Sequence, residues 1–171
     1  MAEEVITPSA AERPVALFNS ALETGVRAVV ILDAIYPRAF DIAHLAWCDH
    51  LVVHTEDIGG PPSLHPNIPQ RTGELLVRRR LVEDGVNLMR RLHMIDVDVG
   101  ENGIRFIASE EASSFVEALR TDYAVTLKGR AGWLADYLLE KSDADLAQII
   151  SDRIGRWTVE FLGGLGEAGA L

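Results

Sequence analysis

The chain has 171 residues, enough for one domain or a small core with a helical extension. Hydrophobic residues make up 48%, which excludes general disorder, and the single cysteine, Cys48, excludes an internal disulfide and any cysteine-based zinc cluster. With 26 acidic against 16 basic residues and a formal charge of −10, the average field repels a polyanion, so nucleic-acid contact has to be local or supplied by a partner.

Residues 1–15 read as a flexible tail, acidic and alanine-rich, without the basic start and apolar run of a signal peptide. No apolar run approaches the roughly 18 residues of a membrane span. Together with the lone cysteine this points to a soluble protein of a reducing cytoplasm. Ser20-Ala-Leu-Glu23 has capping-box spacing and starts a first helix, apolar on most sides, that runs to about Tyr36 and stops at Pro37. A second helix covers Arg38 to His54. Residues 55–71 carry four prolines and two glycines and form a long loop of the kind that is usually functional or disordered. A third helix begins near Thr72 and reaches about His93. Ile95 to Val99 and Ile104 to Ala108 alternate apolar and polar residues on either side of Gly100-Glu-Asn-Gly103, a β-hairpin pattern in which Asp96 or Asp98 is placed to pair with Arg105 across the strands.

Ser109 is placed to cap a short helix ending near Arg120. A further helix carries Tyr123, Leu127, Leu134 and Leu138 at helical spacing. Ser142-Asp-Ala-Asp145 opens a last one, with Leu146, Ile150, Ile154, Trp157 and Phe161 on one stripe. The expected fold is therefore mainly α with a small β-hairpin. Three helices followed by a hairpin is the order of a winged helix-turn-helix core, assigned to 16–109 with the Pro/Gly loop 55–71 inside it. C-terminal helices follow over 110–162, and 163–171 is a frayed tail.

The third helix is the candidate recognition helix. At about 100° per residue, Arg79, Arg80, Arg90 and Arg91 fall opposite its apolar half, together with Glu83, Asp84 and Asn87. That face is mixed rather than cationic, and Arg79 with Glu83 and Arg80 with Asp84 stand at i,i+4, where they can pair. It reads first as a solvated face, then as a face for DNA or a protein partner. Arg78 projects into the apolar half instead, and Asp33 has the same oddity on the first helix. The two are expected to form a buried pair, the alternative being that both snorkel from the edge of the stripe.

Chemistry is hard to assemble. His50 and His54 stand at i,i+4, with Asp57 and His65 in the loop, but there is no HExxH, and histidines that order the loop are a better reading than a metal site. No phosphate-binding glycine loop and no nucleophile elbow is present. Cys48 reads as a small core residue, and Glu110 and Glu111 as ordinary helix-start acids. No cofactor and no metal are expected.

One composite pattern goes further. Leu17-Phe-Asn-Ser20, Ile31-Leu-Asp-Ala-Ile-Tyr-Pro37, His54-Thr-Glu-Asp-Ile-Gly-Gly-Pro-Pro-Ser-Leu-His-Pro66 and Arg71-Thr-Gly-Glu-Leu-Leu-Val-Arg-Arg79 resemble the small middle component (Middle Component 2-like) of bacterial three-component ABC-ATPase conflict systems, the group that includes the Lamassu antiphage systems. The resemblance covers about residues 17–160. It implies a winged-helix adaptor that bridges an SMC-like coiled-coil ABC ATPase to an effector, often a nuclease, meeting DNA only indirectly through the complex. On that reading the best docking surfaces are the loop residues Asp57, Gly59, Gly60, Pro61, Leu64, His65, Ile68 and Arg71, and the C-terminal stripe around Trp133 and Trp157, whose plainer reading is core packing. A winged-helix DNA-binding transcriptional regulator is the alternative, and an enzyme built on the His/Asp loop ranks third.

Overall fold

The computed structural model describes residues 20–66, 71–101 and 103–152, with the side chains of 71–76 outside that description. The described chain is mainly helical with one two-stranded antiparallel hairpin. Its elements are α1 (Ala21–Ala34), α2 (Ile42–Val53), a 3-10 turn (Thr55–Ile58), α3 (Arg71–Arg91), β1 (Ile95–Gly100), β2 (Gly103–Ala108), α4 (Ala112–Ala118) and α5 (Asp122–Leu139). Residues 143–152 are also helical. Among the described residues no helix is long and apolar enough to cross a membrane.

α1 is the centre of the molecule and packs against α2, α3, α4, α5 and β2. It starts on the expected capping box: the Ser20 hydroxyl accepts from the Glu23 amide, and the Glu23 carboxylate accepts from the Ser20 amide at 3.2 Å. It ends earlier than the sequence suggests, with Ile35 as its C-cap. Residues 28–32, Ala-Val-Val-Ile-Leu, are all buried, consistent with an apolar helix surrounded by others. α2 likewise starts later than Arg38, because Asp41 is its N-cap and accepts from the His44 amide at 2.8 Å.

α1 and α3 cross where two glycines face each other. A Cβ on Gly85 would lie 2.6 Å from the Gly25 nitrogen and 2.8 Å from the Ala21 carbonyl oxygen. Only glycine at both positions allows this approach, and it sets the separation of the two helices.

β1 and β2 pair with Ile95 opposite Ala108, Val97 opposite Phe106 and Val99 opposite Ile104. The shared apolar face is buried at its base and leaves the core at its tip, where Val99 and Ile104 are exposed. The hairpin is anchored by mutual backbone bonds between Phe40 and Phe106, at 3.0 and 2.8 Å. Two expectations for this region are corrected. Arg105 stands opposite Asp98 but forms its ion pair with Asp143, at 2.7 Å. Ser109 does not cap α4; its hydroxyl donates to the His93 carbonyl at 2.7 Å, tying the end of the hairpin to the end of α3. The last helix begins as anticipated, with reciprocal bonds between Ser142 and Asp145.

Candidate functional site

The polar residues that α1, α2 and α3 bring into the core form one connected path, which reaches the surface at Tyr123 of α5. Its hub is Asp49 on α2, only 1% exposed. Arg27 on α1 grips it with both arms of the guanidinium: Nε donates to Oδ1 at 2.7 Å and Nη2 to Oδ2 at 3.2 Å. Arg78 on α3 donates from Nη1 to the same Oδ2 at 2.6 Å and to the Asp49 carbonyl at 3.3 Å. A sealed carboxylate between two sealed guanidiniums satisfies charges that would be very costly alone. Burial by itself disfavours the Arg27 cation, but Asp49 and Tyr123 together hold its pKa above the ordinary arginine value.

Arg78 is thus buried and paired, but the expected partner is wrong. Asp33 points elsewhere. It is half-buried at a cleft shared with Tyr36, Asp96, Ser109 and Glu110, where burial first and the nearby Glu117 second raise its carboxyl above the usual range. The two residues sequence reasoning missed, Arg27 and Asp49, had a usable signal. Each is a charge set in a mostly apolar stretch of its helix, Arg27 within 26–32 and Asp49 within 45–53, and such charges have to find one another.

From Arg27 the path continues to the Tyr123 side chain at the start of α5, which hydrogen-bonds it. The Tyr123 hydroxyl lies 3.0 Å from His65 Nε2, with the two rings stacked. The His65 ring meets His54 edge-on, at 6.2 Å between centroids, and His54 lies 4.7 Å from His50. His50 Nε2 then reaches Asp57 Oδ2 at 3.0 Å. His50 and His54 are both buried. The histidines therefore bind the loop to the helices. Among the described residues, no group of three or more His, Cys, Asp or Glu side chains is arranged to hold a metal ion.

The loop itself is folded back on α5. Gly59 adopts the left-handed conformation, φ 78°, that ends the 3-10 turn. The Gly60 amide donates to the Thr55 carbonyl at 2.9 Å, and the Thr55 hydroxyl donates to the Pro61 carbonyl at 2.6 Å. Leu64 and His65 both donate backbone bonds to the Val53 carbonyl. Trp133 covers Gly60 so closely that a Cβ there would meet its ring at 2.6 Å, and Arg130 donates to the Pro62 carbonyl at 3.1 Å. Trp133 is half-buried and stacks on Tyr137. Two surfaces that the sequence treats as separate, the loop and the Trp133 stripe, are in fact one face. Ile68, the Arg71 side chain and Trp157 lie outside the described residues.

Arg79, Arg80, Arg90 and Arg91 are exposed on the outer face of α3. The expected pairs Arg79–Glu83 and Arg80–Asp84 are not among the ion pairs of the described residues. A base N-terminal to its acid is the weaker i,i+4 order, opposed by the helix dipole. Cys48 is sealed in the core, and burial pushes its thiol up to about 12, far from a reactive thiolate.

No curated protein and no solved structure shows a significant match to the chain. A family model does: that of the ABC-three component (ABC-3C) system Middle Component 2, over residues 17–160. The match spans every helix and strand described above, including the Asp49 hub and the histidine-bound loop. The chain belongs to the Middle Component 2 family of ABC-three component systems.

Proposed function

We propose that this middle component is a non-enzymatic adaptor that joins an SMC-like ABC ATPase to a nuclease-like effector in an antiphage defence complex of the Lamassu type. The observation that supports this most is where the charges go. Arg27, Asp49, Arg78, His50 and His54 are buried in joining four helices and a loop to one another. They build a rigid body with fixed outer faces, which is what a bridging subunit needs. Arg27 and Tyr123 do border a cleft of about 300 Å³, but most of its other walls are aliphatic: Leu22, Val26, Leu119 and Leu127. On this reading, the helices before the hairpin and the hairpin itself act as a winged-helix-like core, and the joined loop and Trp133 face is one docking surface.

The test is co-expression of the tagged chain with the other two components of its system. The expected result is a stable complex containing the ATPase, with no gel shift of duplex DNA by the chain alone. Failure of the ATPase to co-purify defeats the adaptor reading. One observation favours the second reading, a winged-helix DNA-binding regulator: four exposed arginines on α3, the third helix before the hairpin. A salt-sensitive shift by the isolated chain would select it.

A further inference from the structure

The outer face of α3 carries charges in a definite order. Arg79 and Arg80 are followed by Glu83 and Asp84, then Asn87, then Arg90 and Arg91, and all are exposed. Arg80 and Arg91 are eleven residues apart, which at about 100° and 1.5 Å per residue puts them on one line of the helix roughly 16 Å apart. Arg79 and Arg90 repeat the relation one position back. The surface therefore reads base, acid, base along the axis. Beside its C-terminal half runs an open groove of about 860 Å³, between α3 and β1, lined by Asp84, Leu88, Arg91, Ile95, Asp96 and Val97. Exposed Val77 and Leu92 flank the charged stretch.

This order discriminates between partners. A phosphate backbone is negative along its whole length, so Glu83 and Asp84 in the middle of the face, and Asp96 across the groove, oppose it. A protein helix laid alongside meets no such penalty if its own face reads acid, base, acid at the same spacing. Its apolar residues would rest in the groove on Leu88 and Val97.

We propose that the outer face of α3 is the docking site for a helix of another subunit of the three-component system, one carrying acidic residues at two places about 16 Å apart with a basic residue between them. The proposal rests on the adaptor reading for the existence of that subunit, and on the charge order for everything else.

The experiment has two arms on the co-expressed system. In the first, Arg80→Glu and Arg91→Glu are combined in the full-length chain, and affinity for the partner subunits is measured at low and high salt. Both side chains are exposed, so the melting temperature should stay at the wild-type value, while affinity should fall by more than about tenfold at low salt. In the second arm, Asn87→Cys is labelled with a benzophenone maleimide. Cys48 is buried and its thiol unreactive, so the label goes to position 87. The cross-link should fall on a helix with the acid, base, acid order, and reversing those acids should restore binding to the doubly substituted chain. If wild type forms no complex at all, the adaptor reading fails. If wild type forms it and the double variant binds equally well, or the cross-link falls on DNA or on a segment without that charge order, the α3 proposal is overturned while the adaptor reading stands.

Discussion

Two aspartates in this chain each hold a pair of arginines, and almost everything else about them differs. Asp49 binds Arg27 and Arg78 between three helices, with all three side chains between 1% and 7% exposed. Asp143 binds Arg38 at 2.8 Å and Arg105 at 2.7 Å, with side chains between 25% and 41% exposed. The first joins α1, α2 and α3 in the interior. The second ties the link before α2 and the hairpin to the last helix from outside, and Arg38 also donates to the Leu138 carbonyl at the end of α5. The same three groups thus make a structural hub in one place and a surface clasp in the other. Solvent decides which, because water supplies an alternative partner to every charge it can reach.

Breaking the hub should have the largest effect. Asp49→Ala leaves two buried guanidiniums facing each other, and a loss of about 3–5 kcal/mol is expected in chemical denaturation. Replacing the whole triad, Arg27→Met with Asp49→Leu and Arg78→Met, should recover much or all of that loss, because no charge is then stranded. An Asp49→Ala loss below about 1 kcal/mol would place the hub in the class of the surface clasp.

A pair of glycine substitutions sharpens the contrast between interior and surface with no charge involved. Gly85→Ala puts its Cβ against the backbone of α1, which no rotamer change relieves, so the helices must separate at a cost of about 1–3 kcal/mol. Gly132→Ala on α5 meets nothing within 4 Å, and should stabilise by up to about 1 kcal/mol through helix propensity alone. Thermal melts of the two variants should move in opposite directions.

The sequence made the frame legible, because caps, prolines and apolar periods are local signals. Ser20 with Glu23 and Ser142 with Asp145 mark helix starts within one turn, and Gly100 to Gly103 marks the hairpin. The partners of charged groups were less legible. Arg78 is recognisable as an inward arginine from its position on α3, but nothing local says whether its carboxylate comes from α1 or α2. That depends on how the helices cross, and the crossing is set by Gly25 and Gly85, far apart in sequence. Arg105 is the same case: strand register places Asp98 opposite it, yet the bond goes to Asp143, 38 residues away. The loop's histidines also required tertiary placement, since His65 reaches Tyr123 only after α5 has packed on α1.

The clasp offers the smallest effect and the clearest sign. Hydrogen bonds from Arg38 and then Arg105 hold the Asp143 carboxyl below its usual range. Its contribution to stability is therefore present above the unfolded carboxylate value, near about 3.9, and fades as pH falls through that value to the lower folded one. Asp33 works the other way, since burial and Glu117 raise it, but it is common to wild type and variant and cancels in their difference. The stability difference between wild type and Asp143→Asn should thus be no more than about 1 kcal/mol at neutral pH, given the exposure of all three groups. It should shrink in concentrated salt and close in acid. The Asp49→Ala difference should resist the same salt, because no ion reaches the hub to screen it. A clasp that ignored salt, or a hub that yielded to it, would mean that burial does not separate these two triads.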